Sequence, residues 1–304
     1  MHFLDVGQGD CTIIIDRATN AAIVIACPGR QAPTVLARLR DLGAPGVALI
    51  VITHWDFDHY GGALEVATQT RCRLLVFNRD TLMAHPVDKT IRRAQLRRLL
   101  EEPLRSMPKR SAPEGTAGQI GNVGWRTLAP SENELIEAVT EHDRNLASIV
   151  VQASAHGRTV MIASDADTRV WQRLISEGVH LEADIFRWPH HGGELRGGAP
   201  VEVEDLLDRV RPTFVPISVG TKNTYGHPDR VSVEAISARA NLACTQVTSK
   251  CHRPSGLSSP TPCGGDLSFT IDAGGGLHPT GGWIGHEAVV AGWDHPMCLS
   301  EQAS

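Results

Sequence analysis

The sequence contains no apolar run long enough to cross a bilayer, and no basic segment followed by an apolar stretch near its start. Since a membrane span needs about 20 apolar residues in succession, we expect no membrane segment and a cytoplasmic location. An excess of positive charge is also lacking, because 29 Lys and Arg stand against 34 Asp and Glu, a formal net charge of -5. This balance argues against a protein that coats nucleic acid non-specifically.

Regular cysteine pairing is absent as well. The seven cysteines are odd in number and scattered, which is unlike a disulfide framework. Cys11, Cys27 and Cys72 lie in strand-like contexts that are typical of core residues. A closer group in the last third is irregularly spaced, so a structural zinc, free thiols and a Cys251–Cys263 disulfide are all left open. The group consists of Cys244, Cys251, His252 and Cys263.

Hydrophobic patterning predicts the same order of elements twice. Each half begins with short strands and then alternates strands with helices, which predicts an α/β (α+β) fold of two mixed sheets with helices outside. Residues 1–272 are expected to form this domain. The Gly-rich tail, residues 273–304, is expected to be loosely ordered, or to dock on the domain or on a partner protein. Residues 111–124 are rich in Pro and Gly and are predicted to form a surface loop.

One segment places two histidines and two aspartates within six residues, directly after a predicted strand. That strand is the apolar, β-branched run 47–52,. Imidazole and carboxylate groups bunched at a strand's end are typical ligands of a divalent metal. Helix capping by Asp58 or core burial of His54 would leave the other two side chains unexplained. The candidate ligands are His54, Asp56, Asp58 and His59.

Three later predicted strands also end in polar residues. The first is followed by Asp165, which could bridge two ions or cap the next helix, a role that Asp167 could fill equally well. The second ends at His190 and His191, an adjacent pair that packing explains poorly. The third ends in a polar and aromatic loop suited to gripping a substrate. Its candidate residues are Ser218, Asn223, Tyr225 and His227.

Together these motifs make the chain resemble the metallo-β-lactamase superfamily, and specifically the nuclease-like domain of ComEC-type competence proteins. The matching motifs run in the family's order from the first residues to about Pro228. They are Phe3-Leu4-Asp5-Val6-Gly7-Gln8-Gly9-Asp10, His54 to Gly62, Asn145 with Ser148, Ser164-Asp165, Pro189 to Gly192, and the loop from Ser218 to Pro228.

The resemblance implies an αββα sandwich with two divalent ions, Mn²⁺ or Zn²⁺, at its edge. The carboxylate-rich ligand set favours a hard ion such as Mn²⁺. The resemblance assigns His54 and Asp56 to one ion, Asp58 and His59 to the other, Asp165 as their bridge, and His190 or His191 to the second site. It implies Asn145 and Ser148, with the loop residues, as substrate contacts, and Asp58, His190 and His227 as catalytic residues.

The end of the third predicted strand departs from the family. Where the family has the pattern Ile-Asp-x-Gly, this chain reads Ile25-Ala26-Cys27-Pro28-Gly29. A carboxylate that supports a metal site from outside the ligand set commonly affects affinity or activity by about 10–100-fold. Ala26 therefore leaves three explanations open: weakened activity, a sequence altered at this position, or a compensating group elsewhere.

The leading functional hypothesis is a metal-dependent phosphodiesterase or nuclease on DNA or RNA, in which two metal ions share a hydroxide that attacks phosphorus. A basic amphipathic helix predicted between Lys89 and Arg110 would guide the polyanion, although a solvated helix face explains the same charges. Its candidate contacts are Arg92, Arg93, Arg97 and Arg98. One alternative is hydrolysis of a small phosphodiester, such as a cyclic nucleotide, or of another ester. The other is an inactive or partner-controlled subunit, motivated by Ala26.

Overall fold

The computed structural model describes residues 1–79, 81, 94, 97–195, 201–251, 260–293, 296 and 298. The chain divides into two compact units, an N-terminal unit (Asp10–Val151) and a C-terminal unit (Met1–Gly9 with Gln152–Ser304). The strands are β1 (His2–Phe3), β2 (Thr12–Asp16), β3 (Ala21–Ile25), β4 (Val47–Val51), β5 (Leu74–Val76), β6 (Lys109–Arg110), β7 (Ala117–Ile120), β8 (Val123–Ala129), β9 (Val150–Ala155), β10 (Arg158–Ile162), β11 (Ile185–Arg187), β12 (Phe214–Ile217), β13 (Asn241–Cys244), β14 (Leu267–Ile271) and β15 (Leu277–Gly281). The helices are α1 (Ala32–Asp41), α2 (Phe57–Tyr60), α3 (Ala63–Thr70), α4 (Glu132–Glu141), α5 (Thr168–Ser176), α6 (Val203–Val210), α7 (Arg230–Ser237) and α8 (His286–Val290).

In the N-terminal unit, β2 to β6 lie side by side in chain order. β2 and β3 are antiparallel, whereas β3, β4, β5 and β6 run parallel to one another. Every residue of β3 and β4 is buried, which explains their continuous apolar sequences, because parallel strands are usually covered on both faces. The carboxyl end of β4 leads directly into the segment that carries the candidate metal ligands.

In the C-terminal unit, β10, β11, β12 and β13 form a parallel set, and α5, α6 and α7 connect each strand to the next. The carboxyl ends of parallel strands meet at one edge, where ligands bind in open α/β sheets. Asp165, the His190–His191 pair and the loop after β12 therefore belong to the same edge of this set.

A second group of strands in the C-terminal unit, β1, β14 and β15, is antiparallel. An aromatic cluster packs around Phe269, with Phe3 at 6.2 Å, Phe214 at 5.0 Å and Trp283 at 5.2 Å between ring centroids. The residues after 272 thus contribute β15, α8 and the Trp283 ring to this unit.

The described strands belong to two mixed sheets, as the sequence predicts. Two local predictions are wrong. Residues 117–120 form β7, which pairs with β8, inside the segment 111–124 that is predicted to be a loop. Residues 97–100 are helical, but Lys109–Arg110 form β6, since Pro103 and Pro108 cannot continue a helix. Arg92, Arg93 and His252 lie outside the described residues. The seven cysteines, Cys251 and Cys263 included, are free thiols. Among the residues described, no helix has both the length and the apolar character needed to span a membrane.

Candidate functional site

The N-terminal unit gathers four candidate ligands at the end of β4. His54 and His59 are buried, and their ring centroids lie 4.2 Å apart. Nε2 of His54 lies 3.4 Å from Oδ2 of Asp56, and an Asp58 oxygen lies within 4.8 Å of a ring nitrogen of His59. When metal–ligand distances are about 2.0–2.2 Å, neighbouring donor atoms around one ion lie about 3–4 Å apart. The donors present therefore fit a divalent metal.

Two hydroxyl groups orient the His54 ring. Oγ1 of Thr53 and Oγ of Ser148 each lie 3.3 Å from Nδ1. Because Nδ1 faces these hydroxyls, Nε2 is the nitrogen directed towards Asp56. Such contacts behind a ligand fix the orientation of its ring. Ser148, predicted to contact substrate, thus contacts a candidate metal ligand in the structure.

The turn after β3 is bonded to the ligand-bearing segment by three backbone hydrogen bonds. The Cys27 N–H donates to the His59 carbonyl at 2.6 Å, and the Gly29 N–H donates to the Phe57 carbonyl at 3.1 Å. In return, the Gly62 N–H donates to the Cys27 carbonyl at 3.0 Å. The turn therefore fixes the backbone from which the candidate ligands Asp58 and His59 project.

Ala26 begins this turn in a left-handed conformation. Its φ is 58°, its side chain is fully buried, and its N–H donates to the Val51 carbonyl at 2.9 Å. A left-handed backbone conformation is unfavourable by about 1–2 kcal/mol for residues other than Gly, Asn and Asp. The Asp that the family carries here tolerates this conformation better than Ala does.

An arginine contacts one of the candidate ligands. The Arg144 guanidinium forms an ion pair with Oδ1 of Asp56. A cation on this carboxylate competes with a metal for the same oxygen atoms. Asn145, predicted to contact substrate, starts a short 3-10 turn, and its N–H donates to Oδ1 of Asp143 at 3.0 Å. The sequence motif includes Asn145, but nothing in it indicates a role for the neighbouring Arg144.

In the C-terminal unit, Asp165 and His191 form a buried pair. Nε2 of His191 lies 3.7 Å from Oδ2 of Asp165. Nδ1 of His191 lies 2.9 Å from the Ser218 carbonyl oxygen, and since a carbonyl only accepts, Nδ1 carries the proton. The lone pair of Nε2 then faces Asp165, which is the usual arrangement of a histidine that binds metal. Ser218, a predicted substrate contact, is itself buried and contributes its carbonyl group.

The backbone around Asp165 is fixed by Ser164 and Arg187. The Ser164 carbonyl accepts hydrogen bonds from the His190 N–H at 2.9 Å and from Nη1 of Arg187 at 2.8 Å. Arg187 is fully buried, and sequence analysis missed it, although an arginine inside an apolar strand was the available signal. Asp167 caps α5 by accepting from the N–H groups of Arg169 and Val170.

A cleft in the same unit contains three rings. The His190 and His227 centroids lie 5.1 Å apart, and Tyr225 stacks on His227 at 5.7 Å with 14° between the planes. Tyr225 is 71% exposed, so its outer face is open to solvent. Glu194 and Asp229 also line the cleft, so that it contains carboxylates as well as imidazoles.

The loop that carries these rings is fixed by amide side chains. Nδ2 of Asn223 donates to the carbonyls of Gly220 at 2.8 Å and His227 at 3.0 Å, and its Oδ1 accepts from the His227 N–H at 2.9 Å. Gln8 accepts from the Gly220 N–H at 3.1 Å. Asn223 thus positions the loop, and Gln8 is a positioning residue that sequence analysis placed only within a motif.

The described part of the predicted basic surface is small. Arg97 forms an exposed ion pair with Glu101 at 2.9 Å, and such pairs contribute little energy. Arg98 is partly buried one residue further on. Because the pair neutralises Arg97, the described residues of this helix do not form an extended cationic face.

Comparisons with known proteins supply independent information. A family model described as "Metallo-beta-lactamase superfamily" matches residues 4–210, and this match confirms the predicted αββα fold class. Comparison with curated proteins gave no match.

Similar solved structures include three whose TM-scores with this chain lie below 0.5. The metallo-beta-lactamase fold protein YhfI from Bacillus subtilis is 9% identical, with a TM-score of 0.49 over 80% of this chain and 95% of that one. Igni18, a metallo hydrolase from Ignicoccus hospitalis, is 14% identical, with a TM-score of 0.47 over 80% and 94%. MEM-A1, a subclass B3 metallo-beta-lactamase from a soil metagenome, is 13% identical, with a TM-score of 0.43 over 63% and 77%. Nothing about substrate follows from likenesses this distant.

Proposed function

The chain belongs to the metallo-beta-lactamase superfamily, and we propose that this metallo-hydrolase cleaves phosphodiester bonds in DNA or RNA, like the nuclease-like domain of ComEC-type competence proteins. The observation that carries the proposal is the ring cluster of His190, Tyr225 and His227. His190 is the chain neighbour of His191, and Tyr225 and His227 lie in the loop after β12. Two imidazoles and a phenol are groups that bind and protonate a phosphate ester.

We propose that the candidate ligands serve two divalent ions, in the ligand order of the family. His191 is assigned as a ligand because its Nδ1 donates to the Ser218 carbonyl while its Nε2 faces Asp165. His190 is assigned to the cleft because its ring packs on His227. Bound ions would polarise the ester and acidify a coordinated water, and the carboxylate-rich set favours Mn²⁺ over Zn²⁺. The full ligand set is His54, Asp56, Asp58, His59, Asp165 and His191.

The residues of the cleft would have different roles in catalysis and substrate binding. His227 would donate a proton to the leaving oxygen, a role that contributes about 10²–10⁴-fold in rate. The exposed face of Tyr225 would stack on a base, which is worth about 1–3 kcal/mol and tolerates any base. Glu194 and Asp229 would repel a phosphate in the absence of cations, so that substrate binding depends on the metals. Asn223 would maintain the loop rather than contact substrate.

A second candidate, a weakly active or partner-controlled subunit, is favoured by two observations in the N-terminal unit. Arg144 pairs with the candidate ligand Asp56. Ala26 occupies a buried left-handed position where the family supplies a carboxylate. Both features weaken the binding of the ion assigned to His54 and Asp56, so this candidate predicts incomplete metal loading.

The test is a cleavage assay with metal-free protein reloaded with Mn²⁺ or Zn²⁺. The substrates are single- and double-stranded DNA, RNA, a cyclic nucleotide and a chromogenic β-lactam. We expect metal-dependent cleavage of DNA or RNA, with kcat reduced by about 10²–10⁴-fold in His227→Ala and a higher KM in Tyr225→Ala. His180→Ala, an exposed histidine of the same unit, is the matched control.

The outcomes separate the candidates. Hydrolysis of the cyclic nucleotide alone would mean that the substrate is a small phosphodiester and not DNA or RNA. If the protein binds two ions per chain and cleaves none of the substrates, the proposed phosphodiesterase activity is refuted. Fewer than two bound ions together with feeble cleavage would support the partner-controlled subunit.

A further inference from the structure

The backbone just beyond β12 is held by side chains from distant parts of the C-terminal unit. Three successive N–H groups there each donate to a side-chain oxygen. Because a buried N–H without a partner is unfavourable, these bonds help to determine the course of the chain. The bonds run from Val219 to Oγ1 of Thr245 at 3.0 Å, from Gly220 to Oε1 of Gln8 at 3.1 Å, and from Thr221 to Oε1 of Gln246 at 2.8 Å. The three acceptor side chains, Gln8, Thr245 and Gln246, form a polar clamp.

Thr245 binds both backbone groups of Val219. Its Oγ1 accepts from the Val219 N–H and donates to the Val219 carbonyl, each at 3.0 Å. A hydroxyl group has one proton and two lone pairs, so it can make both bonds together. Both residues are fully buried, and the Thr245 N–H donates to the Ile217 carbonyl at 3.0 Å. The Thr245 hydroxyl therefore lies at a fixed place beside the chain that follows Ser218.

A single peptide group connects Thr245 to His191. The Ser218 carbonyl and the Val219 N–H belong to the same planar, trans peptide group, so they point in opposite directions. Thr245 binds the N–H on one side, and Nδ1 of His191 donates to the carbonyl oxygen on the other side at 2.9 Å. Because the group is rigid, a rotation that breaks one of these bonds also displaces the other. The Thr245 hydroxyl thus controls the acceptor that orients the His191 ring.

An aspartate from the start of the chain orients the Gln246 amide. Nε2 of Gln246 donates to Oδ1 of Asp5 at 2.7 Å, while its Oε1 accepts from the Thr221 N–H at 2.8 Å. An ionised carboxylate only accepts hydrogen bonds, so the amide cannot turn over without losing both. The Asp5 N–H donates to Oδ1 of Asp266 at 2.8 Å, which anchors the aspartate in turn. Gln246 is buried, and its orientation is therefore determined by protein groups.

We propose that the polar clamp positions the candidate metal ligand His191, and that Thr245 and Gln246 are positioning residues of the metal site. The clamp keeps the Ser218 carbonyl where it accepts the Nδ1 proton, so that Nε2 of His191 presents its lone pair on the side of Asp165. Groups that bind the remote nitrogen of a ligating histidine commonly affect metal affinity by about 10–100-fold. The inference rests on the proposed function, because it takes His191 as a ligand.

Nitrogen-15 NMR of the histidine side chains in the metal-free full chain tests the proposal, with the His191 signals identified by their absence from His191→Ala. The wild type should show His191 protonated at Nδ1, with slow exchange of that proton. Thr245→Val, which replaces the hydroxyl with a methyl group, should speed the exchange by about 2–10-fold, whereas Thr245→Ser should keep the wild-type rate. The matched control is Thr248→Val, since this buried threonine accepts from the Lys250 N–H instead. Equal exchange rates in Thr245→Val and Thr248→Val would overturn the proposal.

An exchange of groups between Asp5 and Gln246 gives a second test if Thr245→Val fails to fold. Gln246→Glu brings two carboxylates together, so it should speed exchange of the His191 proton and weaken Mn²⁺ binding in a competition titration. Asp5→Asn/Gln246→Glu restores a donor facing an acceptor and leaves an oxygen for the Thr221 N–H, so both properties should recover. A double variant no better than Gln246→Glu would overturn the proposal.

The NMR measurement uses metal-free protein and needs no cleavage, so it fails or succeeds separately from the proposed function. A chain that cleaves no phosphodiester but shows the loss in Gln246→Glu and the recovery in the double variant would refute the phosphodiesterase and support the clamp. Cleavage of DNA or RNA with the His191 proton unchanged in every clamp variant would do the reverse.

Discussion

The ligand-bearing segment packs against the turn after β3 so closely that one added methyl group should displace it. A Cβ on Gly61 would lie 2.4 Å from Cα of Gly29 and 2.7 Å from the Phe57 carbonyl oxygen. Both are backbone atoms, so no side-chain rotation relieves the overlap. Gly61 has φ -56° and ψ -30°, which alanine adopts readily, so Gly61→Ala perturbs the contact and not the local conformation.

The size of the effect follows from the contact distance. Non-bonded carbon atoms prefer about 3.5–4.0 Å, so the two segments must separate by about 1 Å or more. Overpacking of this kind costs about 1–3 kcal/mol. The separation also lengthens the hydrogen bond from Cys27 to the His59 carbonyl, now 2.6 Å. Since about 1.4 kcal/mol corresponds to a factor of ten, we expect metal affinity to fall by about 10–100-fold.

The assay is a competition titration of Mn²⁺ or Zn²⁺ between the protein and a fluorescent chelator, with urea unfolding measured alongside. The matched control is Gly46→Ala, because a Cβ at Gly46 meets no atom within 4 Å. Gly46→Ala should bind metal as the wild type does. Equal affinities in Gly61→Ala and Gly46→Ala would refute the idea that this turn holds the ligands in place.

The remaining predictions concern single side chains. Ala26→Gly should raise the free energy of unfolding by about 0.5–1 kcal/mol in urea titrations, because relief of left-handed strain outweighs glycine's chain entropy. Ala26→Asp should in addition tighten metal binding about tenfold, and equal metal affinities in the two variants would contradict a supporting carboxylate. Arg144→Ala should tighten metal binding a few-fold at low salt by releasing Asp56, whereas Arg211→Ala, which loses an exposed pair, should leave it unchanged. Burial raises the pKa of Asp5, so its contribution to stability is present below the unfolded-state pKa and is lost as pH rises through the folded-state pKa. Asp5→Asn should therefore gain stability over the wild type at neutral pH but not near pH 3, and a gain independent of pH would contradict this linkage.

Much of the fold could be predicted because burial imposes apolar periodicity. The apolar run 47–52 is predicted to be a strand, and β4 occupies Val47–Val51. Helix α4 was missed, because it buries little apolar surface. Its signal is local, since Ser131 and Glu134 form a reciprocal capping box at its start,. β7 was missed because three of its four residues are exposed, so that no alternation marks it as a strand.

The candidate site also has features that could be predicted from the sequence and features that could not. The clustering of the candidate ligands after β4 could be predicted because they are neighbours in the chain, and the end of a buried strand places them together. Contacts between distant residues could not be predicted. Gln8 reaches Gly220 across 212 positions, and Arg144 reaches Asp56 from a segment whose sequence shows no sign of this role. The choice of His191 over His190 depends on the Ser218 carbonyl, a backbone group that no sequence pattern reveals.

We propose that this protein hydrolyses phosphodiester bonds with metal ions held by His and Asp ligands. The most direct test is the initial rate of DNA and RNA cleavage while Mn²⁺ is added stepwise to metal-free wild-type protein and to Asp165→Asn. We expect no cleavage without metal, a rate that rises until about two ions are bound, and loss of that rate in Asp165→Asn. Cleavage that persists in metal-free protein, or no cleavage of either polymer once both ions are bound, would contradict it.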